Sequence, residues 1–118
     1  MRLAWLSPLA ALACAASVAL GAYASHAALP TQARQLALAS AFGFAHGLAL
    51  IVLQNHKSTL AGLAKLALFL GLLGFSGGLC VAAFGGGRAA TAPVGGSLLI
   101  LGWMMLALDL WQTRAVDR

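Results

Sequence analysis

Three histidines, two cysteines and two aspartates are the side chains here with the chemistry to carry a proton, attack a bond or hold a metal. There is no Glu, and both carboxylates, Asp109 and Asp117, stand near the C-terminus. Cys14 and Cys80 have no CxxC partner and no His at metal-ligand spacing, so they spell out neither a zinc site nor a redox pair. Cys14 with His46 is the single pairing that resembles a nucleophile with a base, and such a pair also needs a group that orients the base. What these residues can do depends on where the chain places them.

Hydrophobic residues make up 62% of the 118 residues and charged residues 8%. A water-soluble domain carries about a quarter charged residues, so this chain cannot coat itself with a hydrated surface. The formal charge of +5 does not point to nucleic acid, because the seven Lys and Arg are scattered singly at the ends of apolar runs, whereas a nucleic-acid binder gathers them into a patch. Four runs, at about residues 3–24, 35–54, 59–84 and 93–112, each have the ~20 residues a helix needs to cross ~30 Å of hydrocarbon. Helix is the form that satisfies its own amides in lipid. The expected fold is all-α, a single polytopic domain over 1–118 with four antiparallel transmembrane helices. Pro30-Thr31 breaks the chain before the second run, and Ser58 and Thr59 are candidate N-caps of the third. Gly85-Gly86-Gly87 can end the third run in a left-handed cap, and Pro93 suits the first turn of the fourth.

Arg2, Lys57, Lys65, Arg114 and Arg118 fall on the side of the two termini, and Arg34 and Arg88 on the other. The positive-inside rule then places both termini in the cytoplasm, with Trp5 and Trp111 among headgroups on that side. A rival reading takes the first run, with Ala22-Tyr23-Ala24, as a cleavable signal peptide, or Ala11-Leu12-Ala13-Cys14 as a lipoprotein site. The run exceeds the ~7–15 residues of a signal core, which favours a retained helix.

Counted from the cytoplasmic edge at ~1.5 Å per residue, His46 lies ~12 Å deep, Trp103 ~13 Å, and Cys14 and Ser76 ~16 Å. These four can meet near the midplane, and an ionisable residue there is a functional candidate by default. His46 has two readings: a neutral imidazole joining helices through Ser40, Ser76 or a backbone carbonyl, or a ligand or proton site. Trp103, away from the interfacial belt, is expected to pack inside the helices. No carboxylate stands deep enough to orient His46, and no Asp, Glu, Lys or Arg is central, so we expect neither an enzyme nor a charged transport path. A bis-histidine haem needs two axial ligands on one iron, and His26 at the outer end of the first helix is ~15 Å or more from the depth of His46; no cofactor or metal is expected. His26 itself is either an interfacial cap or an outer-side binding residue. Gly43-x-x-x-Gly47 and Gly74-x-x-x-Gly78 are close-packing faces, serving intrachain contacts of the second and third helices or a homo-oligomer. Lys65 and Asp109, at similar depth, either pair as ions or leave Lys65 to snorkel.

Several motifs then carry a resemblance. Gly21-Ala22-Tyr23-Ala24-Ser25-His26, Phe42-Gly43-Phe44-Ala45-His46-Gly47-Leu48, Phe75-Ser76-Gly77-Gly78-Leu79, Ala92-Pro93-Val94-Gly95-Gly96 and Gly102-Trp103 stand in order along nearly the whole chain. They resemble the domain of unknown function 423 family, which is similar to transmembrane protein 256 and to small bacterial inner-membrane proteins. The resemblance implies a four-helix membrane protein and supplies no activity. Against the family pattern, Phe42 replaces Tyr and Gly43 replaces Gln, two polar groups that could serve the histidine. The expected function is therefore a non-enzymatic multi-pass protein of the cell membrane that binds partner membrane proteins or a second copy, or organises the bilayer. The alternative is a small-molecule or proton-linked transporter or ligand-binding protein using His46.

Overall fold

In a computed structural model, residues 2–117 are described, which leaves Arg118, one of the cations counted on the terminal side, outside them. The described chain is all-helical: α1 (Leu6–His26), α2 (Pro30–Val52) continued by a 3-10 turn at Leu53–Asn55, α3 (Thr59–Gly85) and α4 (Ala92–Val116). Even α1, at 21 residues, clears ~30 Å at ~1.5 Å per residue. All four helices are long and apolar enough to cross a membrane.

Three of the local signals act as expected. Ser58 caps α3, its Oγ accepting the Ala61 N–H at 2.9 Å. Gly86 ends α3 with φ of 68°, a conformation that costs a residue without Cβ nothing. Pro93 sits in the first turn of α4. The second run differs. Pro30 starts α2 rather than breaking the chain ahead of Gln35, because its fixed φ and missing N–H suit a first helical position. Gln32 then reaches back, accepting the Leu29 N–H through Oε1 at 3.3 Å. At the far end, α4 runs on to Val116 instead of stopping near residue 112.

The helices alternate in direction, as the contacts between them record. Ser7 pairs with Gln54, Cys14 with Gly47 and Ser17 with Ser40 between α1 and α2. Gln32 pairs with Ala83 and Ser76 with Ala39 between α2 and α3. Gly78 meets Ala92, Gly74 meets Gly95 and Gly71 meets Leu99 between α3 and α4. Packing is thus mainly sequential, α1 on α2, α2 on α3 and α3 on α4.

The outside is apolar. Val52 and Val81 are each 71% exposed, and Leu12, Ile100 and Met104 also point outward, while the buried set includes Ser17, His46, Lys65 and Asp109. This inverts the order of a protein in water. In lipid, apolar surface gains nothing by hiding, and helices associate through close packing and interhelical hydrogen bonds. The glycines do this. A Cβ added at Gly71 would fall 2.8 Å from Leu99 N and 2.9 Å from Gly95 O, and one at Gly102 would fall 2.8 Å from Leu68 Cγ. The axes of α3 and α4 approach so closely only because these positions carry no side chain.

Candidate functional site

His46 is buried on α2 with both ring nitrogens engaged. Trp103 Nε1, which can only donate, gives its proton to His46 Nε2 at 3.1 Å. Nε2 is therefore the acceptor and Nδ1 carries the ring proton, which it donates to the Phe42 carbonyl, itself only an acceptor, at 2.8 Å. The network selects one neutral tautomer. A second ring proton would face the indole N–H and would require Trp103 to leave. Phe42 stacks on the imidazole with centroids 5.8 Å apart and also meets Phe75 at 4.7 Å.

Of the two readings of His46, this is the geometry of the first: an imidazole that joins α2 to α4. Its partners are a backbone carbonyl, as one alternative had it, and Trp103, not Ser40 or Ser76. Trp103 corrects a second expectation. It is 44% exposed, on the lipid side, and only its N–H turns inward. Because the bond to residue 42 uses the main chain, Phe in place of Tyr there does not remove it.

The four residues expected at one depth do not form one constellation. Ser76 Oγ donates to Ala39 O at 2.9 Å, joining α3 to α2. The Cys14 thiol points to Phe44 O at 3.7 Å, joining α1 to α2, so it is directed at a carbonyl and not at the imidazole. Ser40 Oγ donates to Ser17 O at 2.6 Å, and Thr91 Oγ1 to Gly74 O at 2.9 Å. Ser40, Ser76 and Thr91 thus tie neighbouring helices through carbonyls, while Ser25, Ser97 and Thr113 bond back to carbonyls four residues earlier in their own helices. Among the described residues, no fully buried side-chain nitrogen or oxygen lacks a partner, and no three His, Cys, Asp or Glu side chains are gathered around a common point. His26 closes α1 as an exposed residue at the opposite end from the termini.

Lys65 and Asp109 are both buried at the end where α3 begins, and of the two alternatives the ion pair between them is not the one formed. Lys65 Nζ donates to His56 O at 2.7 Å. Asp109 Oδ1 accepts from Ser58 Oγ, the side chain that caps α3. The carboxylate is thus held at the N-terminus of α3, where the helix dipole favours negative charge, and the ammonium is met by a loop carbonyl. The ammonium meets a backbone carbonyl and the carboxylate a side-chain hydroxyl, so each charge is held without the other.

The glycine stripes also find different partners from those foreseen. Gly43 and Gly47 face α1, through Ser17, Cys14 and Ala10; Gly74 and Gly78 face α4, through Gly95, Thr91 and Ala92. Both stripes are covered within the chain, each by an outer helix. Sequence reasoning missed Gly71 and Gly95 as the closest backbone approach. The signal was present: Gly71, Gly74 and Gly78 share one helix face, and Gly95 and Gly102 stand two turns apart on the facing one.

Four apolar helices, close-packed on glycine and tied by hydroxyls and one imidazole, define a polytopic helical membrane protein. Within that class, the model of a protein of unknown function, DUF423, matches residues 20–96, and the chain belongs to that family. The matched segment holds His26, His46, Ser76 and Gly95 but ends before Trp103, so the indole on His46 comes from outside it. No curated protein and no solved structure matches the chain.

Proposed function

We propose that this is a non-enzymatic multi-pass protein of the bacterial inner membrane, with both termini in the cytoplasm, that works by binding partner membrane proteins or organising lipid. The observation that carries the proposal is that, among the described residues, every fully buried side-chain nitrogen and oxygen has a partner. An active site or a transport path keeps polar groups free for substrate, at a cost in stability. Here His46, Ser40, Ser76 and Thr91 each hold a helix to its neighbour instead.

The transport reading keeps one observation in its favour. Trp103 is half-exposed to lipid, so its ring can swing away from His46 without unpacking a helix. The two readings separate in one experiment. The full chain and its His46→Phe and Trp103→Phe variants are purified in mild detergent, and the proteins and lipids that accompany each are identified. A companion at fixed stoichiometry, retained in both variants, is expected. Each lost hydrogen bond should cost only ~0.6 kcal/mol, the mean for interhelical bonds in a membrane. A protein that comes through alone, or a solute uptake that vanishes with His46→Phe at normal protein levels, contradicts the proposal.

A further inference from the structure

A groove of about 490 Å³ runs between the C-terminal half of α3 and the start of α4, within the ~300–1,000 Å³ of small-molecule sites. Leu73, Gly77 and Val81 form one wall of it, and Ala90, Thr91 and Arg88 lie at its end. Residues four apart share a helix face, so the wall extends ~12 Å along α3. Gly77 makes the hollow: a Cβ placed there meets nothing within 4 Å, while Leu73 and Val81 on either side stand out into lipid.

The charged end differs from the wall. Arg88 is exposed just beyond Gly86, where α3 leaves the apolar span. Its guanidinium makes no hydrogen bond or ion pair with the described residues. Beside it α4 begins without a side-chain cap and without an acid in its first turn, and Thr91 Oγ1 donates to Gly74 O. The positive end of a 25-residue helix therefore adds to the Arg88 charge. A narrow apolar trough that ends on positive charge at headgroup level is the complement of one kind of molecule.

We propose that this groove holds an acyl chain of an anionic glycerophospholipid, with the phosphate on Arg88. The apolar wall selects a lipid over a soluble anion. The positive end selects phosphatidylglycerol over phosphatidylcholine, whose ammonium opposes Arg88. The inference requires only that the chain is embedded, and it stands whether or not a protein partner exists.

The test is native mass spectrometry of the full chain released from micelles containing equal phosphatidylglycerol and phosphatidylcholine. One retained lipid is expected, with phosphatidylglycerol favoured about fivefold, the effect of one basic residue near an anionic surface. Arg88→Gln should bring the ratio to about one, and Arg34→Gln, at the same end of the helices, should leave it unchanged. Gly77→Leu puts a side chain into the trough from a position where a Cβ meets nothing within 4 Å, and should remove the retained lipid while the melting temperature holds. Soluble glycerol phosphate should not displace the lipid. No retained lipid in the parent chain, a preference that survives Arg88→Gln, retention in Gly77→Leu, or displacement by glycerol phosphate each overturns the proposal.

Discussion

Gly95→Ala is expected to abolish stable folding, although it adds one methyl group. The new Cβ would run into the backbone N of Phe75, and would lie 2.6 Å from the carbonyl carbon of Gly74 and 2.8 Å from the carbonyl oxygen of Gly71. Overpacking in a core costs ~1–3 kcal/mol when side chains can move aside. Here the obstacles are main-chain atoms of α3, so the two helices must part. That separation also strains the Thr91–Gly74 bond and the Ser58–Asp109 contact, which bracket the same interface. We expect a loss at or above the top of that range, about 3 kcal/mol or more. Gly77→Ala is the control: with open space at its Cβ, it gains up to ~1 kcal/mol of helix propensity. Thermal unfolding in detergent compares the two. A Gly95→Ala protein that melts with the parent chain would show that α3 and α4 are not packed as described.

Gly43→Ala is expected to destabilise by ~1–3 kcal/mol, and this loss should be reversible by a second change. The added methyl would collide with the Ser17 hydroxyl on α1, while Ser17 Cβ at 3.6 Å and Ser76 Oγ at 3.6 Å are at ordinary contact distance. Removing that hydroxyl with Ser17→Ala should restore most of the stability. The double-mutant cycle should then give a coupling of ~0.5–3 kcal/mol, the range for residues in contact. No such rescue is available at Gly95, where main chain is the obstacle. A Gly43→Ala chain that keeps its melting temperature but changes its oligomeric state would instead assign this stripe to a contact between copies.

The spans were legible because the length of an apolar run decides whether a helix can cross a bilayer, and that length is a sum over residues. Ser58, Gly86 and Pro93 were legible because a cap depends on its own residue type. Pro30 was misjudged because the same fixed φ that ends one segment also begins the next. The rotation of each helix was not legible. In water, an apolar stripe shows which face turns inward; a helix that is apolar all round carries no such mark. Hence Trp103, expected inside, lies at the lipid surface with only its N–H turned in, and Lys65 and Asp109, matched in depth, face different partners. Glycine spacing partly replaces the missing stripe. Gly71, Gly74 and Gly78 mark the face of α3 that meets α4, and they do so because nothing larger fits there.

The account stands on the chain crossing the membrane four times, with the start of α1, the turn after α2 and the end of α4 on one side. Fusing a side-sensitive reporter after Lys57, after Arg88 and at the chain end measures this directly. The reporters after Lys57 and at the end should both read cytoplasmic, and the one after Arg88 should read the opposite side. Reporters at the end and after Lys57 on opposite sides, or at the end and after Arg88 on the same side, would contradict it.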